Sequence, residues 1–154
     1  MTSIEVRTAI AAAPEVVFDL ELDMDAHTAS LAATGETATT SHGGPHLLLG
    51  DEVTLTAKHF GLRWRLTSRV TEYDRPHRFV DEQMRGPFAA MRHEHLFEPN
   101  GEGGTVMVDR LTIRAAFGPV GVIVSRLALS RHLERVLRMR AAHIKQVAEA
   151  VGDR

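Results

Sequence analysis

The spacing of hydrophobic residues at the start of the chain predicts one strand followed by two short helices. Residues Ser3–Ile10 alternate between apolar and polar side chains, which is typical of a strand with one buried face. Pro14 then stands where proline favours the first turn of a helix, and apolar residues follow it at helical spacing. A second short helix is predicted over Asp23–Ala33, because its acidic start suits the positive end of the helix dipole and Gly35 ends it.

Strand-like alternation returns after Gly35 and continues almost to Phe117. The alternating segments are separated by glycine, proline, asparagine and aspartate, which are the residues that turns prefer. Links this short join neighbouring antiparallel strands, so we predict a meander. The six predicted strands are Glu36–His42, Glu52–Phe60, Leu62–Tyr73, Arg78–Arg85, Ala90–Glu98 and Thr105–Ala116.

The last part of the chain is predicted to be one long helix. Apolar residues recur at helical spacing from about Val120 to Val151, and a bend near Ser130 would divide the helix into two pieces. At about 1.5 Å per residue the helix is roughly 45–50 Å long, enough to cross a whole sheet. The order of one strand, two short helices, six strands and a long helix predicts an α+β fold. In it a twisted antiparallel sheet of about seven strands curls around the C-terminal helix.

Composition and charge narrow the class of protein. The length of 154 residues predicts a single domain over 1–154, and 44% hydrophobic with 25% charged residues is enough for a buried core. A net charge of -2 gives no reason to expect a nucleic-acid partner. Without cysteine there is no disulfide, thiolate nucleophile or cysteine-based metal site. No signal peptide or membrane-spanning stretch is recognisable, so we expect a cytoplasmic protein, either a monomer or a homodimer.

Seven short motifs are distributed along nearly the whole chain. They are Gly50-Asp51-Glu52-Val53, His59-Phe60-Gly61, Thr71-Glu72-Tyr73-Asp74-Arg75-Pro76, Phe79-x-Asp81-Glu82-Gln83-x-x-Gly86-Pro87-Phe88, His93-x-His95-x-Phe97, Gly103-Gly104-Thr105-x-Met107-x-Asp109 and Gly118-Pro119. With the order of elements, these motifs resemble the START/Bet v 1-like (SRPBCC) superfamily, in its polyketide cyclase/dehydrase and lipid-transport group. The resemblance implies the helix-grip fold and an elongated cavity between sheet and helix, lined by apolar groups with a few polar ones. It implies no metal and no cofactor, and it does not fix a reaction, because one fold hosts many functions.

The strands over 78–85 and 90–98 place ionisable side chains among aromatic ones. Every second residue of a strand shares a face, so Asp81 lies beside Phe79 and the two histidines of His93-Glu94-His95 point the same way. We expect this shared face to point towards the helix. With a loop over Gly86–Ala90, the predicted opposed pairs are Arg85 with Met91, Gln83 with His93, Asp81 with His95, and Phe79 with Phe97.

The last predicted strand completes this inner face. Its arginines share one side and prefer water, so Asp109 is placed on the other side, facing inward. A loop of Pro99–Gly103 then brings His95 beside Met107 and His93 beside Asp109. Opposed side chains at this distance can form imidazole–carboxylate hydrogen bonds. Such a pair favours the charged forms, raising the pKa of the histidine and lowering that of the aspartate.

The polar residues of this interior admit several interpretations. The two histidine–aspartate pairs can be structural and fix the strand register, because buried polar groups are paired in any case. They can also anchor a ligand in an apolar pocket. In a catalytic role, a histidine oriented by its aspartate removes a proton next to a carbonyl, and Arg85 or Gln83 stabilises the enolate oxygen. The candidate catalytic residues are His93, His95, Asp81 and Asp109. The predicted ligand-binding residues are His59, Trp64, Leu66, Phe79, Asp81, Gln83, Arg85, Met91, His93, His95, Met107, Asp109, Leu111, Leu129, Leu133 and Leu137.

Two further features bear on the site. His-x-His on one strand face can chelate a metal, and His59 or a carboxylate could complete the set. Since each histidine has an aspartate as a simple partner, we expect no metal. The arginines of the last helix are expected to form a solvated face, with contact to an anionic membrane surface as the alternative. These arginines are Arg126, Arg131, Arg135, Arg138 and Arg140.

The leading functional hypothesis is binding of a hydrophobic small molecule (lipid, acyl or aromatic polyketide-like) between the sheet and the C-terminal helix. The first alternative is a cyclase or dehydratase that acts on a polyketide-like substrate in the same cavity. The second alternative is a protein- or membrane-interaction module whose cavity has collapsed. The volume of the cavity separates this last hypothesis from the other two.

Overall fold

Seven strands and three helices make up the part of the chain that the structure describes. A computed structural model gives the fold and describes residues 1–32, 35–59, 61–115 and 122–152; the side chains of 59 and 122–125 are outside this description. The elements are β1 (Thr2–Ile10), α1 (Pro14–Glu21), α2 (Met24–Ser30), β2 (Thr37–Thr40), β3 (Glu52–His59), β4 (Leu62–Asp74), β5 (Arg78–Arg85), β6 (Ala90–Pro99), β7 (Thr105–Arg114) and α3 (Val122–Gly152).

The strands form one antiparallel sheet. Its order is β1-β7-β6-β5-β4-β3-β2, so the strands from β2 to β7 follow one another as a meander and β1 returns to lie beside β7. Helix α3 packs against β1 and against both short helices. The order of elements and the curved antiparallel sheet confirm the predicted α+β helix-grip fold.

Some predicted elements are longer than the observed ones. Helix α2 ends at Ser30 rather than Ala33, and the Asp23 side chain caps its start by accepting hydrogen bonds from two backbone N–H groups. Strand β2 covers Thr37–Thr40 and stops short of its predicted end, because the Gly43 N–H donates to the Thr40 carbonyl and turns the chain. The predicted element ends at Ala33, Phe60, Ala116 and Val120 and the motif Gly118-Pro119 lie outside the described residues.

The predicted register between β5 and β6 is wrong by two residues. Asp81 lies opposite His93 rather than His95. The ladder ends early because the Gln83 side chain holds the following loop: its Nε2 donates to the Phe88 carbonyl over 2.8 Å. A shift of two residues leaves both histidines on the predicted inner face, because side chains alternate with a period of two.

The same correction applies between β6 and β7. His95 lies opposite Asp109 rather than Met107. The turn spans Asn100–Gly104, one residue later than predicted, because the Asn100 side chain accepts hydrogen bonds from two backbone N–H groups within it. Again the inner face keeps its predicted members.

Phe18 of α1 lies at the centre of the main core. Its ring meets those of Tyr73, Phe79 and Phe97 edge to face, with centroids 5.3, 5.5 and 5.2 Å away. Edge-to-face packing is the favourable geometry for aromatic rings, since the positive edge of one faces the negative face of the other. This core joins α1 to strands β4, β5 and β6 and fixes one wall of the interior.

The second half of α3 is attached to the end of β1 and to the residue that follows it. The Ala11 N–H donates to Glu149 Oε1 over 3.0 Å, and Lys145 Nζ donates to the Ala9 carbonyl over 2.7 Å. These contacts hold the helix across the sheet. Among the described residues, no helix combines the length and the apolar content that a bilayer-spanning helix needs.

Candidate functional site

A cavity of about 220 Å³ lies between the inner face of the sheet and the helices. Its wall is mainly apolar. By comparison, an engineered apolar cavity of about 150 Å³ holds benzene. The apolar side chains from the sheet are Val53, Leu55, Ala57, Trp64, Leu66, Val70, Phe79, Met91 and Leu111, and those from α3 are Leu129, Leu133, Val136 and Leu137.

A polar part of this wall is built from β5, β6 and β7. His93, His95, Asp81 and Asp109 meet there, and we call them the His–Asp cluster. His93 Nε2 is 3.1 Å from Asp109 Oδ1, and His95 Nε2 is 3.0 Å from Asp81 Oδ1. His95 Nδ1 is also 3.1 Å from Asp109 Oδ1. Both predicted histidine–aspartate pairs are therefore present, but each reaches diagonally across neighbouring strands because of the two-residue shift in register.

Two further buried pairs border the cluster. Arg140 of α3 donates to the Glu21 carboxylate, and its Nη2 also donates to the Glu21 carbonyl over 3.2 Å. His27 Nε2 lies 2.5 Å from Glu36 Oε1. Glu21 connects to the cluster, since its Oε2 is 3.7 Å from His95 Nδ1. Arg140, Glu21 and the His–Asp cluster thus form one continuous network that joins α3, α1 and the sheet.

The two histidines of the cluster differ in charge. Burial opposes protonation of His95 most strongly, but the flanking carboxylates of Asp109 and Asp81 outweigh it and raise the pKa of His95 to about 9. Burial and the neighbouring charge on His95 lower the pKa of His93, so its imidazole is neutral near pH 7. A neutral His93 that faces the Asp109 carboxylate through Nε2 carries its proton on that nitrogen.

The carboxylates also differ among themselves. Although burial opposes it, the hydrogen bond and charge of the neighbouring histidines lower the pKa of Asp81 to about 2 and lower that of Asp109 as well. Burial raises the pKa of Glu21 against the opposing effect of Arg140. The pKa of Arg140 is raised by the carboxylates around it, even though burial opposes its charge. Ionised aspartates and a charged guanidinium therefore share a small buried volume.

Most predicted site residues line the cavity. Their part in binding stays a prediction. Those that line it are Trp64, Leu66, Phe79, Asp81, Met91, His93, His95, Leu111, Leu129, Leu133 and Leu137.

The other predicted residues lie elsewhere. Met107 is fully buried in the main core, and Asp109 lies behind the two histidines without reaching the cavity. Gln83 is engaged with the loop after β5. The placement of Arg85 on the inner face is wrong, because β5 carries one extra residue between Arg85 and Gln83, a bulge that turns Arg85 outward. The His59 side chain lies outside the described part of the chain.

Glu21 and Arg140 were not predicted as site residues. Helical spacing could have found both: Glu21 follows buried Val17 and Phe18 at four and three residues, and Arg140 stands three residues after Leu137. The interpretation of Arg140 as part of a solvated face is wrong, because its side chain is buried against Glu21. His27 and Glu36 were missed as well, and neither has a comparable signal, whereas His132, also missed, lies one residue before the predicted Leu133.

Solved structures similar to this chain include three of different origin. TTHA0849 from Thermus thermophilus has a TM-score of 0.76 at 19% identity, over 96% of this chain and 99% of that one. The Zhui aromatase/cyclase from Streptomyces sp. R1128 has a TM-score of 0.78 at 16% identity, over 96% and 93%. Ginseng major latex-like protein 151 from Panax ginseng has a TM-score of 0.62 at 14% identity, over 92% and 96%. At these identities the likeness shows the fold.

No curated protein matches the chain. A family model does match: that of polyketide cyclase / dehydrase and lipid transport covers residues 1–149. The match agrees with the motifs along the strands and with the helix-grip architecture. This chain therefore belongs to the polyketide cyclase/dehydrase and lipid transport family.

Proposed function

We propose that the protein binds a hydrophobic small molecule, of a lipid, acyl or aromatic polyketide-like kind, in the cavity between sheet and α3. The observation that carries the proposal is an apolar wall with hydrogen-bonding groups gathered on one side, which is the composition typical of small-molecule pockets. The family description names polyketides and lipids, which supports the same class of ligand. An interior with this much space argues against a module with a collapsed cavity.

The cavity wall suggests how a guest lies. Leu129, Leu133 and Leu137 are spaced four residues apart and share one face of α3, and Trp64 of β4 lines the same cavity. The body of the ligand packs between these two surfaces. A polar atom of the ligand then reaches His93, whose imidazole is held by Asp109.

The tryptophan offers a direct test. The chain has one tryptophan, Trp64, and it lines the cavity, so its fluorescence reports on this site. We expect 2-naphthol, an aromatic ring system with one hydroxyl, to quench Trp64 in a saturable titration with one molecule bound per chain. Native mass spectrometry of freshly purified protein should show a compound that co-purifies in the same ratio.

A Trp64→Phe variant serves as the matched control. It should lose the fluorescence signal but still bind 2-naphthol by calorimetry, because phenylalanine keeps the apolar wall. If neither Trp64 quenching nor a co-purified compound is found, and a panel of alcohols and aromatic compounds also fails, the proposed function is wrong.

A second candidate is a cyclase or dehydratase acting in the same cavity. The observation that favours it is the His93–Asp109 pair, in which the protonated Nε2 faces the carboxylate and Nδ1 remains to accept a proton. Neither Arg85 nor Gln83 lines the cavity, so the cations at its wall that could stabilise an enolate include Arg140 and the protonated His95. The similar Zhui protein from Streptomyces sp. R1128 is an aromatase/cyclase, which supports this second candidate.

Turnover separates the two candidates. A binder returns the co-purified compound unchanged after prolonged incubation, whereas an enzyme of this kind converts its substrate, with loss of water in a dehydration. For the enzyme, we expect His93→Gln to lower the rate by about 10²–10⁴-fold, the usual contribution of a general base. Unchanged conversion in that variant would remove His93 from the mechanism.

A further inference from the structure

We propose that His93, His95 and Asp81 bind a divalent transition-metal ion, with Zn²⁺ as the first choice, on the polar side of the cavity. The proposal goes beyond binding of an organic ligand, and either of the two can fail without the other. Two imidazoles and one carboxylate are a common protein ligand set for zinc and for other divalent metals that keep positions open.

The distances between the possible ligand atoms fit a metal. One atom from each of His93, His95 and Asp81 lies within 4.8 Å of the atoms from the other two. His95 Nε2 and Asp81 Oδ1 are 3.0 Å apart. Ligands about 2.0–2.1 Å from a tetrahedral ion stand roughly 3.3 Å apart, so the ion needs only a small widening of this gap.

Asp109 supplies the second layer that metal-binding histidines need. Its Oδ1 is hydrogen-bonded to His93 Nε2 over 3.1 Å, and it lies 3.1 Å from His95 Nδ1 in an ion-pair contact that lacks hydrogen-bond geometry. The nitrogens left for a metal are then His93 Nδ1 and His95 Nε2. A carboxylate behind a ligating histidine fixes the ring and its tautomer and makes the free nitrogen a better ligand.

The charge around the cluster also favours a cation. The carboxylates of Asp81 and Asp109 lie within this cluster, whereas the Arg140 guanidinium is bonded to Glu21. Buried carboxylates without enough positive charge are costly. A proton on His95 supplies one positive charge, whereas a divalent ion supplies two.

The position of Arg140 and the access to the cavity favour this set of metal ligands over a neighbouring set. Glu21, His95 and Asp109 also lie close enough to hold an ion, but Arg140 is bonded to Glu21 and would repel it. In contrast, His93, His95 and Asp81 all line the cavity. An ion held by these three keeps a coordination position open towards a guest, where it could bind a carbonyl or hydroxyl oxygen.

The test measures metal binding by the full chain without any organic ligand. After treatment with EDTA and its removal, we expect calorimetry to show one Zn²⁺ bound per chain. His93→Gln keeps an amide that can donate to Asp109 but removes the imidazole ligand, and Asp81→Asn removes the carboxylate. Each should weaken Zn²⁺ binding by at least about 100-fold, and Asp109→Asn by about 10–100-fold. The matched control is His77→Ala, an exposed histidine that should bind Zn²⁺ like the unaltered chain.

Three results would overturn the proposal: no stoichiometric binding by the unaltered chain, retention of binding in His93→Gln or Asp81→Asn, and loss in His77→Ala. Retention in Asp81→Asn would place the ion on the neighbouring set instead. If circular dichroism shows that a variant does not fold, the proton NMR spectrum of the unaltered chain with bound Co²⁺ tests the proposal instead. Two histidine rings with paramagnetically shifted proton resonances, assigned to His93 and His95, support the site, and shifts on other histidines refute it.

Discussion

Replacing Arg140 with methionine should lower the free energy of unfolding by about 3–5 kcal/mol, the usual cost of removing one partner of a buried ion pair. The guanidinium lies against Glu21, whose side chain has no solvent exposure, and the negative charges of Asp81 and Asp109 act on it as well. Methionine has a similar length, so packing is largely kept while the charge is lost. Urea unfolding followed by circular dichroism measures the change.

Arg138 provides the matched control on the same helix. It pairs with Glu134 one turn away, but both side chains are largely exposed, so Arg138→Met should cost less than about 1 kcal/mol. In a double variant, Glu21→Gln should recover much of the loss caused by Arg140→Met, because it removes the stranded carboxylate. Equal costs for Arg140→Met and Arg138→Met would show that the buried pair contributes nothing particular.

Replacing Ala57 with phenylalanine should weaken ligand binding while leaving the fold intact. Ala57 lines the cavity from β3, so the added ring occupies space that the guest needs. We expect 2-naphthol to bind at least about tenfold more weakly, a loss of about 1.4 kcal/mol or more. Because filling a cavity often stabilises a protein, the free energy of unfolding should stay the same or rise by about 0.5–2 kcal/mol.

The neighbouring residue gives the control for this change. Lys58 is exposed on the other face of β3, so Lys58→Phe adds the same ring outside the cavity and should leave binding unchanged. Calorimetry on both variants makes the comparison independent of Trp64 fluorescence. Undiminished binding in Ala57→Phe would place the ligand somewhere other than this cavity.

Alternation along the strands was enough to predict which side chains of β5, β6 and β7 meet. His93, His95 and Asp109 lie on the predicted face although the register is wrong by two residues, since an even shift preserves faces. The register itself depends on Gln83 and Asn100, whose side chains bond to loop backbone. Such local bonds compete with the ladder in ways that a pattern of apolar residues does not record.

The predicted positions of Arg85 and Arg140 are wrong for different reasons. The bulge that turns Arg85 outward adds one residue to β5 without a glycine or proline to mark it, so sequence patterning has no means of locating it. Arg140 lies on the apolar stripe of α3. It was predicted to belong to the solvated face because arginine is normally found at the surface. A charged residue on an apolar helical stripe is better interpreted as one whose partner comes from another element, here Glu21 of α1.

The attachment of α3 divides the helix into two halves with different tolerance to change. Arg140, Lys145 and Glu149 tie the second half to α1 and to the end of β1, whereas Leu129 and Leu133 in the first half form cavity wall. Substitutions at the leucines reshape the pocket without loosening these ties. Relatives that keep Arg140, Lys145 and Glu149 can therefore differ in the ligand they prefer. The differences would lie in the first turns of α3, while the fold stays the same.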